Sequence, residues 1–267
     1  MSSPAANNPA PGFVKHPNYR LVAEPCRKRI RTVLNGETIA DSLDVKIVLE
    51  RGITPVYCFP PADVRLDLME RTDRHTHCPF KGDATYRTVR VGDRTAADAA
   101  WSYEAPYDEW ADLAGYVAFY WNRMDHWFEE DDEVFVHARD PHVRIDIANS
   151  SRPVEVVLGG ETVARSSAAR FLFETGLPVR YYLPRQDVRT DLLRDSATET
   201  ACPYKGTASY FSARIGDTDF EDIAWLYRQP VAEAAQIKDY VCFYNERVDR
   251  ISVDGQVMDR PVTKWSK

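Results

Sequence analysis

The chain carries one sequence pattern twice, in a single uninterrupted register. Residues 33–42 read VLNGETIADS and residues 157–166 read VLGGETVARS. CPFKGDATY at 78–86 returns as CPYKGTASY at 202–210, and YVAFY at 116–120 returns as YVCFY at 240–244. Every pair is 124 positions apart, so nothing interrupts the register from the first motif to the last. Two like domains in tandem follow from this. The expected division is a disordered lead-in over 1–26, a first repeat at 27–146, a short polar linker at 147–151, a second repeat at 152–258 and a tail at 259–267. With 267 residues, each copy is long enough to bury a core of its own.

Bulk properties narrow the class. The net charge is −7, and RKRIR at 27–31 is the one basic cluster. It reads as the solvated start of the first strand, so no nucleic-acid track is expected. No apolar run approaches the roughly 18 residues of a membrane span. The first twenty residues are rich in Pro, Ala, Asn and Ser and lack the apolar stretch of a secretory signal. The five cysteines are widely spaced and form no CxxC pair, which argues against a disulfide framework or a zinc knuckle. A soluble cytoplasmic protein is the expectation, with its oligomeric state left open.

Within each copy the signals are mostly β. Asn35-Gly36 and Gly159-Gly160 each sit between two strand-like runs, as in a tight hairpin. An apolar strand ends in Glu50, and its counterpart ends in Glu174. Asp63 and Asp187 stand where they could cap short helical segments at 64–68 and 188–192. The runs 116–121 and 124–128 read as a hairpin, as do 240–244 and 248–253. Thr95 to Ala100 admits a competing helical reading. Short strands with frequent turns predict a mainly β chain, each copy a compact sheet sandwich or partly open barrel with short helical segments.

Residues kept in both copies supply the candidate site. Glu50 and Glu174 end buried-type strands, where a carboxylate tends toward a raised pKa suited to acid–base work. The alternative is a salt bridge to Arg65 or Lys81. In Cys-Pro-x-Lys-Gly, proline holds the preceding cysteine extended and glycine permits a tight bend. Cys78 with Lys81, and Cys202 with Lys205, could then pair a thiolate with an ammonium, or the lysine could hold an anion. Tyr86 and Tyr210 complete the catalytic candidates. Tyr57, Asp63, Trp101, Tyr103 and Tyr120, with Tyr181, Asp187, Trp225, Tyr227 and Tyr244, are candidate ligand-binding residues, and an aromatic core is their alternative. All six histidines precede repeat 2. His77 is a further ligand-binding candidate, and His75 with His77 could share a strand face near a metal. No metal site is assigned. Repeat 2 has Glu199 and Ala201 at those positions, which puts two equivalent sites in doubt. No glycine-rich phosphate loop, GxSxG or HExxH motif occurs.

The ordered set GETIADS, LERG, YCFPPADV, HCPFKGDATY, AAWSYEAP and GYVAFY in repeat 1 resembles the domain of unknown function 427. Repeat 2 matches with GGETVARSS, FETGLPVRYYLPRQDV, CPYKGTASY, IAWLY and YVCFY. The resemblance covers nearly the whole chain outside the N-terminal segment. It implies a compact β-tent or barrel-like fold and carries a nucleotidyltransferase label without a matching carboxylate signature here. The functional expectation is a protein that binds a small polar or anionic metabolite, with Glu50 as acid or base and Lys81 as anion holder. Alternatives are a non-catalytic bivalent binding module, a metal-assisted enzyme using His75 and His77, and a nucleotidyltransferase by label. The cofactor stays unknown.

Overall fold

A computed structural model describes residues 8–266. It is mainly β and divides into two compact units, one ending at Asp140 and the other beginning at Pro141. In the first unit a short helix α1 (Pro11–Lys15) precedes eleven strands. These are β1 (Leu21–Pro25), β2 (Ile30–Leu34), β3 (Glu37–Ser42), β4 (Lys46–Glu50), β5 (Val56–Phe59), β6 (Met69–Cys78), β7 (Gly82–Val91), β8 (Arg94–Tyr103), β9 (Val117–Phe119), β10 (His126–Glu129) and β11 (Asp132–Glu133). They form a seven-stranded sheet, β1-β4-β5-β9-β8-β7-β6, and a four-stranded sheet, β11-β10-β2-β3.

The second unit repeats this strand for strand. Its members are β12 (Ile145–Ser150), β13 (Val154–Leu158), β14 (Glu161–Ser166), β15 (Ala169–Glu174), β16 (Arg180–Leu183), β17 (Leu193–Cys202), β18 (Gly206–Ile215), β19 (Thr218–Pro230), β20 (Val241–Phe243), β21 (Arg250–Val253) and β22 (Gln256–Val257). The orders β12-β15-β16-β20-β19-β18-β17 and β14-β13-β21-β22 match those of the first unit. The sheets are open and do not close into a barrel, since each keeps two edge strands.

Side-chain alternation sorts the seven-stranded sheet into two faces. Ile47, Leu49, Tyr57, Phe59, Val117 and Phe119 face the four-stranded sheet and join its core. Their neighbours Val48, Cys58 and Ala118 belong to a second apolar cluster, with Phe80, Trp110 and Leu113. The hairpins β2–β3 and β13–β14 turn as their sequences require, with positive φ at Asn35 and Gly36 and at Gly159 and Gly160.

Several expectations are corrected. The lead-in is built into the fold over residues 8–25, while Met1 to Asn7 lie outside the described residues. Gly12 donates its backbone N–H to the Pro79 carbonyl, and Asp108 and Glu109 accept the backbone N–H groups of Asn8 and Ala10. β1 pairs with β4 and β12 with β15, so 21–26 opens repeat 1, and the expected linker at 147–151 lies largely within the first strand of repeat 2. The basic run therefore leads into the second strand rather than the first, and Lys28 pairs with Glu129 and Arg29 with Asp41. The expected hairpin at 116–128 is divided, because β9 and β10 lie in different sheets; β20 and β21 are divided likewise. Residues 95–100 are strand, with Asp98 at φ +48° where β8 slips register against β7. Asp63 and Asp187 cap no helix through their side chains; they accept hydrogen bonds from Ser42 and Ser166 at 2.6 Å.

The glycine of Cys-Pro-x-Lys-Gly has φ +102° at Gly82 and +98° at Gly206. A Cβ at Gly206 would lie 2.9 Å from the Gln229 carbonyl oxygen, whereas at Gly82 the nearest atom is the Ala105 oxygen at 3.5 Å. Alanine at either position costs about 1–3 kcal/mol for the left-handed backbone. Gly206→Ala is expected to cost more than Gly82→Ala because a backbone oxygen blocks it, a difference that the midpoints of urea unfolding will report.

Candidate functional site

Repeat 1 has a cavity of about 260 Å³ on the outer face of its seven-stranded sheet. The face assembles from alternate residues: Val48 and Glu50 on β4, Val56 and Cys58 on β5, Trp101 and Tyr103 on β8. Tyr86 and Tyr120 wall one side, and Trp110, Leu113 and Tyr116 from the loop after β8 complete another. Trp101 and Tyr120 pack with ring centroids 4.6 Å apart. The Tyr86 hydroxyl shares a 2.8 Å hydrogen bond with Thr76, and the Arg74 guanidinium lies 4.4 Å from the Tyr86 ring centre. Burial pushes the Tyr103 phenol well up, with the nearby Cys78 adding to it. Burial likewise pushes the Cys58 thiol up to about 12, so it lines the cavity as a neutral group.

One ion pair supplies the fixed charge. Lys81 Nζ donates to Glu50 Oε2 at 2.6 Å, and both side chains are mostly buried. Tyr19 donates its hydroxyl to Glu50 Oε1 at 2.9 Å, its ring stacked on Phe80 at 4.3 Å. Burial, then the Glu50 carboxylate, pushes the Tyr19 phenol up. Both oxygens of Glu50 are thus occupied, and the Lys81 ammonium is turned to the carboxylate. In repeat 2, Lys205 meets Glu174 at 2.5 Å, but Val143 stands where repeat 1 has Tyr19.

Of the residues marked out by sequence, Glu50, Lys81, Tyr86, Trp101, Tyr103 and Tyr120 converge on this cavity. Tyr57 does not. It points to the opposite face and donates to Glu129 at 2.6 Å, where burial and that carboxylate push its phenol far up. Tyr181 likewise joins the core between the sheets. Asp63 and Asp187 are tied to their serines, away from the cavity lining. Cys78 and Cys202 are half-buried beside the motif turn, and Cys78 is not among the lining residues. His77 is exposed and bonds Asp83 at 2.6 Å. Among the described residues no three His, Cys, Asp or Glu side chains gather as a metal-binding group. Comparison of the copies does not pick out Cys58, Val56 and Trp110, nor Tyr19 (Val143 in repeat 2), because each differs between the copies.

Those differences decide the fate of the second site. The walls Tyr210, Trp225, Tyr227 and Tyr244 recur but are buried in a continuous cluster. Tyr182 replaces Cys58 and is fully buried, its hydroxyl accepting from Trp225 Nε1 at 3.2 Å. Arg180 replaces Val56, and its guanidinium lies 5.7 Å from the Trp225 ring and 5.8 Å from the Tyr244 ring. Glu246 receives it through two bonds of 2.6 and 2.7 Å, and Thr263 adds a third to that carboxylate. Trp265 packs over the guanidinium at 5.4 Å.

Two outcomes follow. Removing one partner of a buried ion pair strands the other charge, so Lys81→Met should destabilise by about 3–5 kcal/mol. The double change Glu50→Gln/Lys81→Met should recover most of that loss in a denaturant-based mutant cycle. Acid should open the filled copy. Burial alone would raise Glu246, but its bonds from Arg180 and Thr263 outweigh this and hold it below the usual carboxylate range. A lowered native pKa contributes stability that is present above the unfolded value and is lost as pH falls through the native one. The fluorescence change assigned to Trp265, by difference against Trp265→Phe, should therefore appear only below the ordinary carboxylate range. In Glu246→Gln it should be present already at neutral pH.

No curated protein matches the chain in sequence. A family model does, and it matches twice, over residues 22–130 and 146–254, which are the two structural repeats with their first strands included. The chain belongs to the family described as a domain of unknown function, DUF427, and carries two copies of it in tandem.

Proposed function

We propose that the first repeat is a receptor for one small, largely apolar molecule, and that the second is a closed copy with a structural role. The observation that carries this is the contrast at one wall: position 56 is valine beside an open cavity, and its counterpart is Arg180, lying on the matching rings. An aromatic cavity with a few convergent polar groups is the usual form of a small-molecule site. At about 260 Å³ it suits a ligand smaller than typical drugs, whose pockets run from roughly 300 to 1,000 Å³. The Glu50–Lys81 pair offers such a ligand a dipolar handle with no net charge. Both Glu50 oxygens accept hydrogen bonds, from Tyr19 and Lys81, which fits a fixed polar wall for a binding site.

A thermal-shift screen of small metabolites should find ligands that stabilise the protein with one site per chain by calorimetry. Trp101→Ala should abolish the stabilisation, and Trp225→Ala should leave the stoichiometry unchanged. Two equivalent sites per chain, or binding indifferent to Trp101→Ala, would overturn the reading.

A further inference from the structure

The filled copy describes the ligand of the open one. About half of the lining residues are identical in the two repeats, and several that differ change little in volume: Val48 against Leu172, Leu113 against Ile237, Ala118 against Cys242. The larger exchange, Cys58 for Tyr182, is answered across the cluster by Trp110 for Ala234, so bulk gained on one wall is lost on another. The cavity of repeat 1 includes the space before Trp101 and Tyr120, with Val56 on its wall, and the Arg180 guanidinium lies at the matching place before Trp225 and Tyr244. The ring pairs that frame it are alike, with centroids 4.6 Å apart in both copies.

A planar, conjugated group fits that space, because repeat 2 already places one there. Its charge is a separate matter. In repeat 2 the guanidinium charge is met by Glu246, whose counterpart in repeat 1 is the neutral Asn122. The charges of Glu50 and Lys81 are met by each other. A cation would enter repeat 1 without its acid, and an anion would compete with Glu50 for Lys81. Burying an unmatched charge is costly, whereas a neutral planar dipole loses little. Resting on the receptor reading, we propose that repeat 1 takes a neutral planar ligand of the aryl or heteroaryl amide class. Its ring system would lie against Trp101 and Tyr120, with its dipolar end toward Glu50 and Lys81.

Benzamide, benzamidine and benzoate share one shape and differ in charge. Titrated against the full chain and followed by tryptophan fluorescence and calorimetry, benzamide should bind one site per chain. The two charged probes should bind at least about tenfold more weakly. Val56→Arg/Asn122→Glu copies the internal guanidinium together with its acid, and it should abolish benzamide binding while circular dichroism keeps the β spectrum. Equal or tighter binding of either charged probe overturns the ligand class, as does undiminished benzamide binding in that variant. Failure of benzamide where a screened metabolite still binds in a Trp101-dependent way removes the class and leaves the receptor reading standing. Failure of both removes both.

Discussion

The Glu50–Lys81 pair joins parts of the sheet that pairing alone would hold apart. In strand order β4 and β7 are separated by β5, β9 and β8, four spacings of about 4.8 Å each in a flat sheet. Yet a carboxylate at the end of β4 meets an ammonium from the turn before β7 at 2.6 Å. Side chains long enough to reach across, on a sheet that curls toward them, are what the contact requires. The face between them is therefore concave, and the cavity is that concavity lined with rings. Lys205 and Glu174 make the same contact in the second repeat, where Tyr182, Arg180 and Trp265 pack on that face.

A concave apolar face must be covered, and the two copies solve this differently. Repeat 1 brings Phe13 and Tyr19 from the N-terminal segment onto Phe80, and Trp110 from the loop after β8. A side chain at Gly12 would collide with the Phe80 ring at 2.6 Å, so the segment can lie that close only with glycine there. Repeat 2 covers its face with Tyr182, Arg180 and the C-terminal Trp265. Its guanidinium is held on every side, by aromatic faces and by a carboxylate, the arrangement that makes a buried arginine tolerable. The result is one accessible aromatic cavity and one whose walls are occupied by the chain itself.

Much of this was legible in the residues, for identifiable reasons. The duplication, the hairpin turns and the strand ending in glutamate follow from local chemistry. The first strand of each repeat did not, because LVAEP and IDIANS match at no corresponding position and are set by pairing with β4 and β15 rather than by their own pattern. The N-terminal segment reads as disordered by composition, but Asp108, Glu109 and the Phe80 ring, all distant in sequence, hold it. Tyr57 falls on the other face of its strand, which alternation settles once the register of β5 against β4 is known. Val48 and Glu50 share one face, and β5 pairs Lys46 with Cys58, so Cys58 joins that face and Tyr57 the other.

Retention in both copies selects for what both copies need, and what both need is the fold. The residues common to both copies include the ion pair and the rings, and also Tyr57, Asp63 and their counterparts, which make their contacts within the fold, away from the cavity. The binding proposed for repeat 1 alone would be encoded where the two diverge. Val56 against Arg180, Asn122 against Glu246 and Tyr19 against Val143 are each a single exchange. They change how the shared aromatic hollow is filled, which charges stand beside it and what holds its glutamate. In a duplicated chain the common residues build the vessel, and the differing ones determine whether anything can enter it.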